Sequence, residues 1–424
     1  MKQSVKDFLK KHNFTADVDM EAISTAILSD MRTGLARKKS YQDMILTYFD
    51  PSSVSLREKS VVVIDAGGTN FRSSLVTFQQ DGKAKISGFE KTKMPGTSGE
   101  LSKKEFFGQI ASNINRFKDK CDEICFCFSY AMEITKDHDG ILNSFSKEVK
   151  APEVVGSHIG AELKNALAEH GWTHIPAVIL LNDTVAALLA GSWNKSCSSY
   201  IGFILGTGMN CAYVQPKDET LGIERQIVVC ESAKFGGVAQ SDFDREMDKK
   251  SVNPGTSPLE KLCSGAYLGP IATEILRTAS REGLFSSTFA AALEKRNQLS
   301  LIEVSSFLEQ SDREHGKYTN HFDPEHAQTS DCEIVFELFD ALVDRTAHLA
   351  ASILAAAVIQ CNEGTALEKP VCIALNGTTF FKTYKVPERT KAYLSRLLKG
   401  KSLRYEILPG EADITVGTAM AALA

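Results

Sequence analysis

A glycine turn that directly follows a run of β-branched residues is the stretch of this sequence with the clearest chemical potential. Residues 61–64 predict a strand, Gly67 and Gly68 turn the chain, and residues 73–78 resume a strand-like pattern. Glycines let backbone N–H groups approach a polyphosphate closely, and the hydroxyl of Thr69 can donate a further hydrogen bond. The pattern therefore predicts a phosphate-binding strand–turn–strand, with a bare hairpin as the alternative.

Asp65 lies at the end of the first of these strands, directly before the turn. A carboxylate at this point suits Mg²⁺, acting through the water shell of the ion, because magnesium gives up its water reluctantly. The element is not a P-loop, since no GxxxxGK[ST] run occurs in the sequence. Cys125 and Cys127 share one face of a predicted strand and have no second His/Cys pair nearby in the sequence, which argues against a metal site there.

A second glycine turn repeats this arrangement in the second half of the chain. Residues 200–205 and 211–215 read as strands, and Gly206-Thr207-Gly208 lies between them. A third strand, from Val371, opens into Asn376-Gly377-Thr378. The repeat indicates two similar α/β halves that face each other across a cleft.

A second carboxylate, Asp183, stands where the apolar residues 177–181 run into a predicted helix. Its simplest role is that of a helix N-cap, worth roughly 1 kcal/mol of helix stability. The alternative is a base that accepts a proton from a substrate hydroxyl, and a position at a helix N-terminus would keep it ionised. Such a base can be weak in phosphoryl transfer, because alignment and charge neutralisation supply most of the catalysis.

Two glutamates and a lysine complete the set of candidates. Glu231 ends a strand-like run and Glu260 lies at the start of a predicted helix. An isolated glutamate is most often a surface residue, but carboxylates also accept hydrogen bonds from two vicinal hydroxyls of a sugar. Lys147, taken without further context, reads as a solvated surface lysine.

Composition bounds the class of protein. The chain has 424 residues, more than one core usually supports, so two domains are expected. The net charge of −5 argues against nucleic acid as a partner. The N-terminus lacks a signal-peptide core and no apolar run reads as long enough to span a bilayer, so no membrane partner is expected. Scattered cysteines, Cys211, Cys230 and Cys372 among them, indicate buried, reduced thiols and a cytoplasmic location. The sequence leaves a homo-oligomer open.

Periodicity predicts the elements that position these residues. Residues 1 to about 50 are predicted to be amphipathic helix, most clearly at 20–35, and a β-rich block follows at 60–89. Next come a helix near 103–118, a strand at 124–128, a helix at 156–168 and a strand at 177–181 that leads into another helix. Residues 280–350 are predicted to be mostly helical, and residues 412–424 to form a terminal helix.

Four blocks in sequence order resemble the hexokinase family, within the actin-like sugar-kinase and chaperone-ATPase superfamily. They are Asp65-Ala-Gly-Gly-Thr-Asn-Phe-Arg72, Asn182-Asp183-Thr184, Gly206-Thr-Gly-Met-Asn210-Cys-Ala-Tyr213, and Asn253-Pro-Gly followed by Glu260-Lys-Leu-Cys-Ser-Gly-Ala-Tyr-Leu-Gly269. The resemblance implies a two-domain actin-like (ribonuclease H-like) α/β fold, with mixed five-stranded sheets and an interdomain cleft. It also implies a small domain of residues 58–182 plus 412–424 and a large domain of residues 1–57 plus 183–411.

The same resemblance implies ATP-dependent, magnesium-assisted phosphorylation of the 6-hydroxyl of a hexose, with Asp183 as the catalytic base. The implied sugar-binding residues are Ser129, Ser146, Lys147, Asn182, Asp183, Asn210, Glu231 and Glu260. The implied nucleotide-binding residues are Asp65, which also serves Mg²⁺, Gly67, Gly68, Thr69, Asn70, Arg72, Gly206, Thr207, Gly208, Gly377 and Thr378. Residues 410–417 fall near where the family closes its nucleotide site.

The departures from the family pattern lie around the sugar. Phe-Ser-Phe-Pro in the family is Phe128-Ser-Tyr-Ala131 here, Trp-Thr-Lys-Gly is Phe145-Ser-Lys-Glu148, and Asn-x-Glu-Trp-Gly is Val229-Cys-Glu-Ser-Ala233. They leave open a sugar-sensing regulatory protein of the same fold with little or no turnover. An actin- or chaperone-like ATPase is disfavoured, because Glu231, Glu260 and Lys147 would have no function in it.

Overall fold

Two mixed β-sheets organise the chain. The structure, a computed structural model, describes residues 1–15, 18–55, 57–80, 83–145, 149–193, 197–313 and 326–424. Its strands are β1 Ile45–Leu46, β2 Lys59–Gly67, β3 Asn70–Phe78, β4 Ala84–Lys93, β5 Glu123–Phe128, β6 Ala131–Ile134, β7 Gly140–Ser144, β8 Ala177–Leu181, β9 Ser199–Leu205, β10 Met209–Gln215, β11 Gln226–Val229, β12 Val371–Asn376 and β13 Tyr405–Ile407.

Helices cover both sheets. They are α1 Gln3–Lys11, α2 Met20–Leu35, α3 Lys103–Ile114, α4 Ile159–Glu169, α5 Asp183–Ser192, α6 Asp242–Lys249, α7 Pro258–Cys263, α8 Gly265–Arg281, α9 Ser287–Glu294, α10 Leu301–Arg313, α11 Thr329–Cys361, α12 Thr378–Lys382, α13 Val386–Leu398 and α14 Ile414–Met420.

The two sheets share one pattern of pairing. The first has the order β4-β3-β2-β5-β8, antiparallel from β4 to β2 and parallel from β2 to β8. The second repeats it as β11-β10-β9-β12-β13 and adds β1 at its edge, which makes six strands. The predicted repeat is therefore present, with one short strand more than the expected five in the second sheet. The domain boundaries derived from the sequence stay a prediction.

Helix α5 connects the sheets. It starts directly after β8 of the first sheet and packs against β9 and β12 of the second, and against α14. Its side chains are apolar on nearly every face, and Val185, Leu188 and Leu189 are completely buried. A helix that is apolar all round belongs in the interior, so the catalytic candidate at its first residue stands on a rigid element.

The long helix α11 corrects one expectation. It is apolar enough over a sufficient length to qualify as a membrane span, which the sequence was not expected to contain. However, 89% of its most apolar window is buried inside the protein. Its apolar residues, such as Leu342, Leu349 and Leu354, are fully buried in the larger hydrophobic core. The helix is thus a core element against which α2 and α13 pack.

Two other expectations also change. Helix α2 has the predicted bounds, but residues 45–46 form β1 instead of continuing the helical pattern, because they pair with β11. Cys372 is not a free thiol: it forms a disulfide with Cys197, with Cα atoms 5.7 Å apart, a distance that a disulfide spans. Cys211 and Cys230 are free and buried, as expected.

Candidate active site

The first glycine turn joins β2 to β3. Gly67 pairs with Asn70, so Gly68 and Thr69 form a two-residue connection. Gly68 has φ of +62°, a left-handed conformation that glycine adopts without steric cost. A Cβ on Gly67 would lie 3.1 Å from the Cβ of Ser129, a tight contact that a side chain could make only if Ser129 shifted slightly. The turn is a narrow strand–turn–strand, as predicted.

Asp65 and Arg72 lie opposite each other across this hairpin. Nη1 of Arg72 donates a hydrogen bond of 2.6 Å to Oδ2 of Asp65. Asp65 is 21% exposed, and a single exposed carboxylate fits a magnesium ion that keeps most of its water. Among the described residues no group of three or more His, Cys, Asp or Glu side chains is assembled, so a metal enclosed by protein ligands does not fit.

The second glycine turn is anchored by two helices. Within the turn, the N–H of Gly206 donates a hydrogen bond of 2.9 Å to the carbonyl of Gly208. The carbonyl of Gly206 accepts from the N–H of Gly265 at the start of α8, at 2.8 Å, and from Oγ1 of Thr379 in α12, at 2.7 Å. The turn that contains Thr207 is therefore held rigidly beside two helix N-termini, where backbone N–H groups favour anions.

Glu260 lies directly against this turn. Its Oε2 accepts a hydrogen bond of 3.0 Å from the N–H of Met209, and a Cβ on Gly208 would come within 2.7 Å of the same oxygen. The helix α7 that carries Glu260 is itself fixed: Nζ of Lys261 is buried and donates to the carbonyl of Asn253 at 2.6 Å. The block Asn253 to Glu260, which the resemblance singled out, is thus one connected unit.

Asp183 is not the N-cap of α5. That position is taken by Asn182, whose Oδ1 accepts from the N–H of Thr184 at 2.9 Å, and Asp183 is the first residue of the helix itself. The capping interpretation of Asp183 is therefore wrong, and its carboxylate is not needed to cap the helix. The hydroxyl of Ser129 lies near enough to this carboxylate to lower its pKa.

Burial, together with the like charges of Asp65 and Glu231, raises the pKa of Asp183 to about 6, although the nearby Thr184 N–H and Ser129 hydroxyl lower it. Desolvation and two neighbouring carboxylates thus outweigh the helix N-terminus, but a pKa of about 6 still leaves Asp183 ionised at pH 7, as expected. Asp65 comes from the first sheet and Glu231 follows β11 of the second. Asp183 is thus the point at which charges from both halves of the molecule interact.

Glu231 is held in a strained backbone conformation. Its φ of +57° is left-handed, which is uncommon for a residue with a side chain. Asn210 clamps it from both sides: its Nδ2 donates to Oε1 of Glu231 at 2.8 Å and its Oδ1 accepts from the N–H of Ser232 at 3.2 Å. Burial raises the pKa of Glu231, while Lys234 and Asn210 oppose the rise. Strain of this kind is typical of functional positions.

Two of the predicted sugar-binding residues border one small cavity of about 20 Å³, whereas Ser129, Asp183, Asn210 and Glu260 are not part of its lining. Asn182 and Glu231 line it, together with Tyr130 and Ala131. Ala131 stands where the family has proline. Two further candidates, Ser146 and Lys147, lie outside the described residues, as does Glu148 of the same altered segment.

The predicted adenosine segment packs against the second glycine turn. A Cβ on Gly377, whose φ is +116°, would collide with the carbonyl of Leu205 at 2.3 Å, so this position requires glycine. Thr378 begins α12 and is exposed. The N–H of Gly377 donates to Oε1 of Glu411 at 3.0 Å, which connects it to residues 410–417. Gly410 and Glu411 also line a cavity of about 530 Å³.

Sequence reasoning missed Tyr130 and Glu411. Tyr130 donates from its hydroxyl to the carbonyl of Gly68 at 3.0 Å, and a signal for it was present, because tyrosine stands where the family pattern has phenylalanine. For Glu411 the only signal was its place within residues 410–417, which the resemblance puts near the nucleotide, since a glutamate in a loop of charged and small residues reads by itself as a surface residue.

The fold and the site together define a two-domain α/β protein of the actin-like sugar-kinase class. Two family models, each described as hexokinase, match the chain, one at residues 4–193 and the other at residues 200–424. The chain belongs to the hexokinase family.

Individual relatives and solved structures agree with this assignment. Hexokinase-7 of Oryza sativa subsp. japonica is 28% identical over 70% of this chain and 68% of its own length. A protein of Arabidopsis thaliana called hexokinase-like 1 is 29% identical over 94% of this chain and 87% of its own. The chain spans 46% of human hexokinase-2, at 26% identity. The structure of Schistosoma mansoni hexokinase complexed with glucose superposes with a TM-score of 0.81, at 25% identity over 99% of this chain and 98% of that one.

Proposed function

We propose that this protein is an ATP-dependent hexokinase that transfers the γ-phosphoryl group of ATP to the 6-hydroxyl of glucose or a related hexose. The observation that carries the proposal is Asp183, a carboxylate at the first residue of α5 with a pKa raised to about 6. Such a group is ionised at pH 7 and still basic enough to accept a proton from an attacking hydroxyl. Its environment is that of a catalytic carboxylate, because structural carboxylates more often have their pKa lowered by partners.

The rest of the site divides between the two substrates. The glycine turns at positions 67–70 and 206–208 offer backbone N–H groups to the phosphates of ATP. Magnesium, held through water by Asp65, would neutralise charge on those phosphates when bound. Glu231 and Glu260 accept hydrogen bonds from vicinal sugar hydroxyls, a task that a pure ATPase does not have. The relative solved with glucose supports a hexose as the acceptor.

An assay of ADP release with ATP, Mg²⁺ and a panel of hexoses tests the proposal. We expect turnover with at least one hexose, and loss of turnover by about 10²- to 10⁴-fold in Asp183→Ala, the range that removal of a general base gives. Sugar binding by that variant, followed by calorimetry, should stay measurable. Unchanged turnover in Asp183→Ala would exclude Asp183 as the base.

A second candidate function is a sugar-sensing protein of the same fold with little or no turnover. The altered sugar side favours it: Ala131 lacks the stiffness of proline, and Ser232-Ala233 replace Trp-Gly of the family pattern. One relative, from Arabidopsis thaliana, is named hexokinase-like instead of hexokinase. Saturable sugar binding without ADP release, for every hexose and phosphoryl donor tried, would favour this function over the first.

A further inference from the structure

The two residues that join β5 to β6, Ser129 and Tyr130, contact the first glycine turn at consecutive positions. The N–H of Ser129 donates to the carbonyl of Ala66 at 3.1 Å. Ser129 then packs so closely on Gly67 that an added Cβ would lie 3.1 Å from its own. The hydroxyl of Tyr130 completes the series by donating to the carbonyl of Gly68 at 3.0 Å. Ser129 and Tyr130, which lie on the side of the proposed sugar-binding residues, are therefore in direct contact with the predicted phosphate-binding turn.

Tyr130 is placed for this contact by an aromatic cluster. Its ring is 4% exposed and lies 4.7 Å from the ring of Phe128 and 5.2 Å from that of Phe145, measured between centroids. Burial raises the pKa of Tyr130 to about 12, so the hydroxyl keeps its proton and stays a donor. A phenylalanine, as in the family pattern, would fill the same space without the donor.

The hydrogen bond to Gly68 fixes more than one atom. The carbonyl of Gly68 and the N–H of Thr69 belong to the same planar peptide unit and point in opposite directions. Anchoring the carbonyl to Tyr130 therefore directs the Thr69 N–H away from the aromatic cluster. Rotation of this peptide unit changes ψ of Gly68 and φ of Thr69; Gly68 permits a wide range of ψ because it has no side chain, so the anchor limits the motion that the glycine would otherwise allow.

We propose that Tyr130 is a positioning residue that couples the sugar side of the site to the nucleotide. Its hydroxyl holds the Gly68–Thr69 peptide with the Thr69 N–H available to a phosphate oxygen. The neighbouring Ser129 lies close enough to Asp183 for its hydroxyl to lower the pKa of that carboxylate, so a sugar that orders Ser129 and Tyr130 orders the base and the phosphate turn together. The inference rests on the proposed function for its ligands, a hexose and ATP.

The test is Tyr130→Phe, which removes the hydroxyl and keeps the ring. Binding of the non-hydrolysable analogue AMPPNP with Mg²⁺ is measured by calorimetry, with and without saturating glucose, and kcat and KM are measured where turnover exists. We expect Kd for the analogue in the presence of glucose, and KM for ATP, to rise by about 2- to 10-fold, the range that loss of one hydrogen bond gives. The Kd for glucose alone should stay within about 2-fold of wild type.

Tyr393→Phe is the matched control. Its hydroxyl donates to Oδ1 of Asp344 at 2.7 Å, between α13 and α11 and outside the site, so its loss should leave both affinities unchanged. Unchanged AMPPNP binding in Tyr130→Phe, or weakened glucose binding with nucleotide affinity intact, would overturn the proposal. The binding readouts do not require turnover. If the wild-type protein binds both ligands but releases no ADP, the hexokinase proposal fails while the coupling by Tyr130 is still tested.

Discussion

At the residue scale, Asp183 meets two demands that oppose each other. A base must stay deprotonated at working pH, which requires a pKa below about 7, and yet it must hold a proton once it has accepted it. The site meets both with burial and two like charges, which bring the pKa to about 6. The folded protein is destabilised as a result, because an ionised carboxylate is held where water and opposite charge are scarce.

Asp183→Asn should therefore stabilise the protein at pH 7 while abolishing turnover. The folded-state pKa is raised above the ordinary value of 3.8, so ionised Asp183 lowers the free energy of unfolding above about pH 6, and this cost disappears as the pH falls toward 4. We expect a gain on the order of 1 kcal/mol at pH 7 and a smaller one at pH 5, measured by urea unfolding. Equal stability of variant and wild type at pH 7 would contradict the pKa assignment.

The pH dependence of turnover follows from the same group. We expect kcat/KM to fall as the pH drops through about 6, because protonated Asp183 cannot accept the hydroxyl proton. Because burial also raises the pKa of Glu231, sugar binding should be titrated separately over the same range. A profile that stays flat from pH 7.5 to 5, with sugar binding unchanged, would rule out Asp183 as the titrating base.

At the element scale, the short helix α7 needs anchors because six residues are too few to hold a helix by themselves. Arg345 of α11 supplies one of them. It binds Asp244 of α6 through two hydrogen bonds, of 2.7 and 2.9 Å, and donates to the carbonyl of Leu262 in α7 at 3.3 Å. Both charges of the pair are buried. The position of Glu260 therefore depends on a charge pair in the core.

Arg345→Met should lower the free energy of unfolding by about 3–5 kcal/mol, because it leaves the carboxylate of Asp244 buried without its partner. Adding Asp244→Asn to the same chain should restore part of that loss by removing the orphaned charge. The control is Arg245→Met, which breaks an exposed ion pair with Asp242 and should cost at most about 1 kcal/mol. Urea unfolding of the wild type, the two single variants and the double variant measures these differences. Equal losses for Arg345→Met and Arg245→Met would show that the buried pair contributes no more to stability than the exposed one.

At the scale of the whole molecule, each half of the site belongs to a different sheet. The first turn and Asp65 extend from β2, whereas the second turn, Asn210 and Glu231 extend from β9, β10 and β11. A hexose that bonds to residues of both sheets gains most when the two halves close on it and exclude water, which also limits hydrolysis of ATP.

Closure is testable by small-angle X-ray scattering. We expect glucose to lower the radius of gyration of Asp183→Asn, a variant designed to hold both substrates without turnover. The physical reason is that, under the proposed function, the sugar bonds to residues of both sheets. A radius of gyration that glucose does not alter would contradict closure by the sugar.

The sequence predicted well those features that depend on neighbouring residues. The bounds of α2 and β8 match the prediction, and both glycine turns and the repeat of strand–turn–strand are present, because periodicity and glycine content are local properties of a chain. The short strand β1 escaped prediction, since its two residues become a strand only by pairing with Val228 and Val229, which are distant in the chain. The disulfide between Cys197 and Cys372 escaped it for the same reason.

By itself the sequence determined the family, the two glycine turns and the carboxylates that could do chemistry, because residue types at short spacing carry that information. The tertiary structure decided what those residues do to one another. That Asn182 caps α5 and frees Asp183, that the pKa of Asp183 rises instead of falling, and that Tyr130 reaches Gly68 all depend on contacts between distant segments. Burial and the distance between charges exist only after folding, and these two quantities set the chemistry of the site.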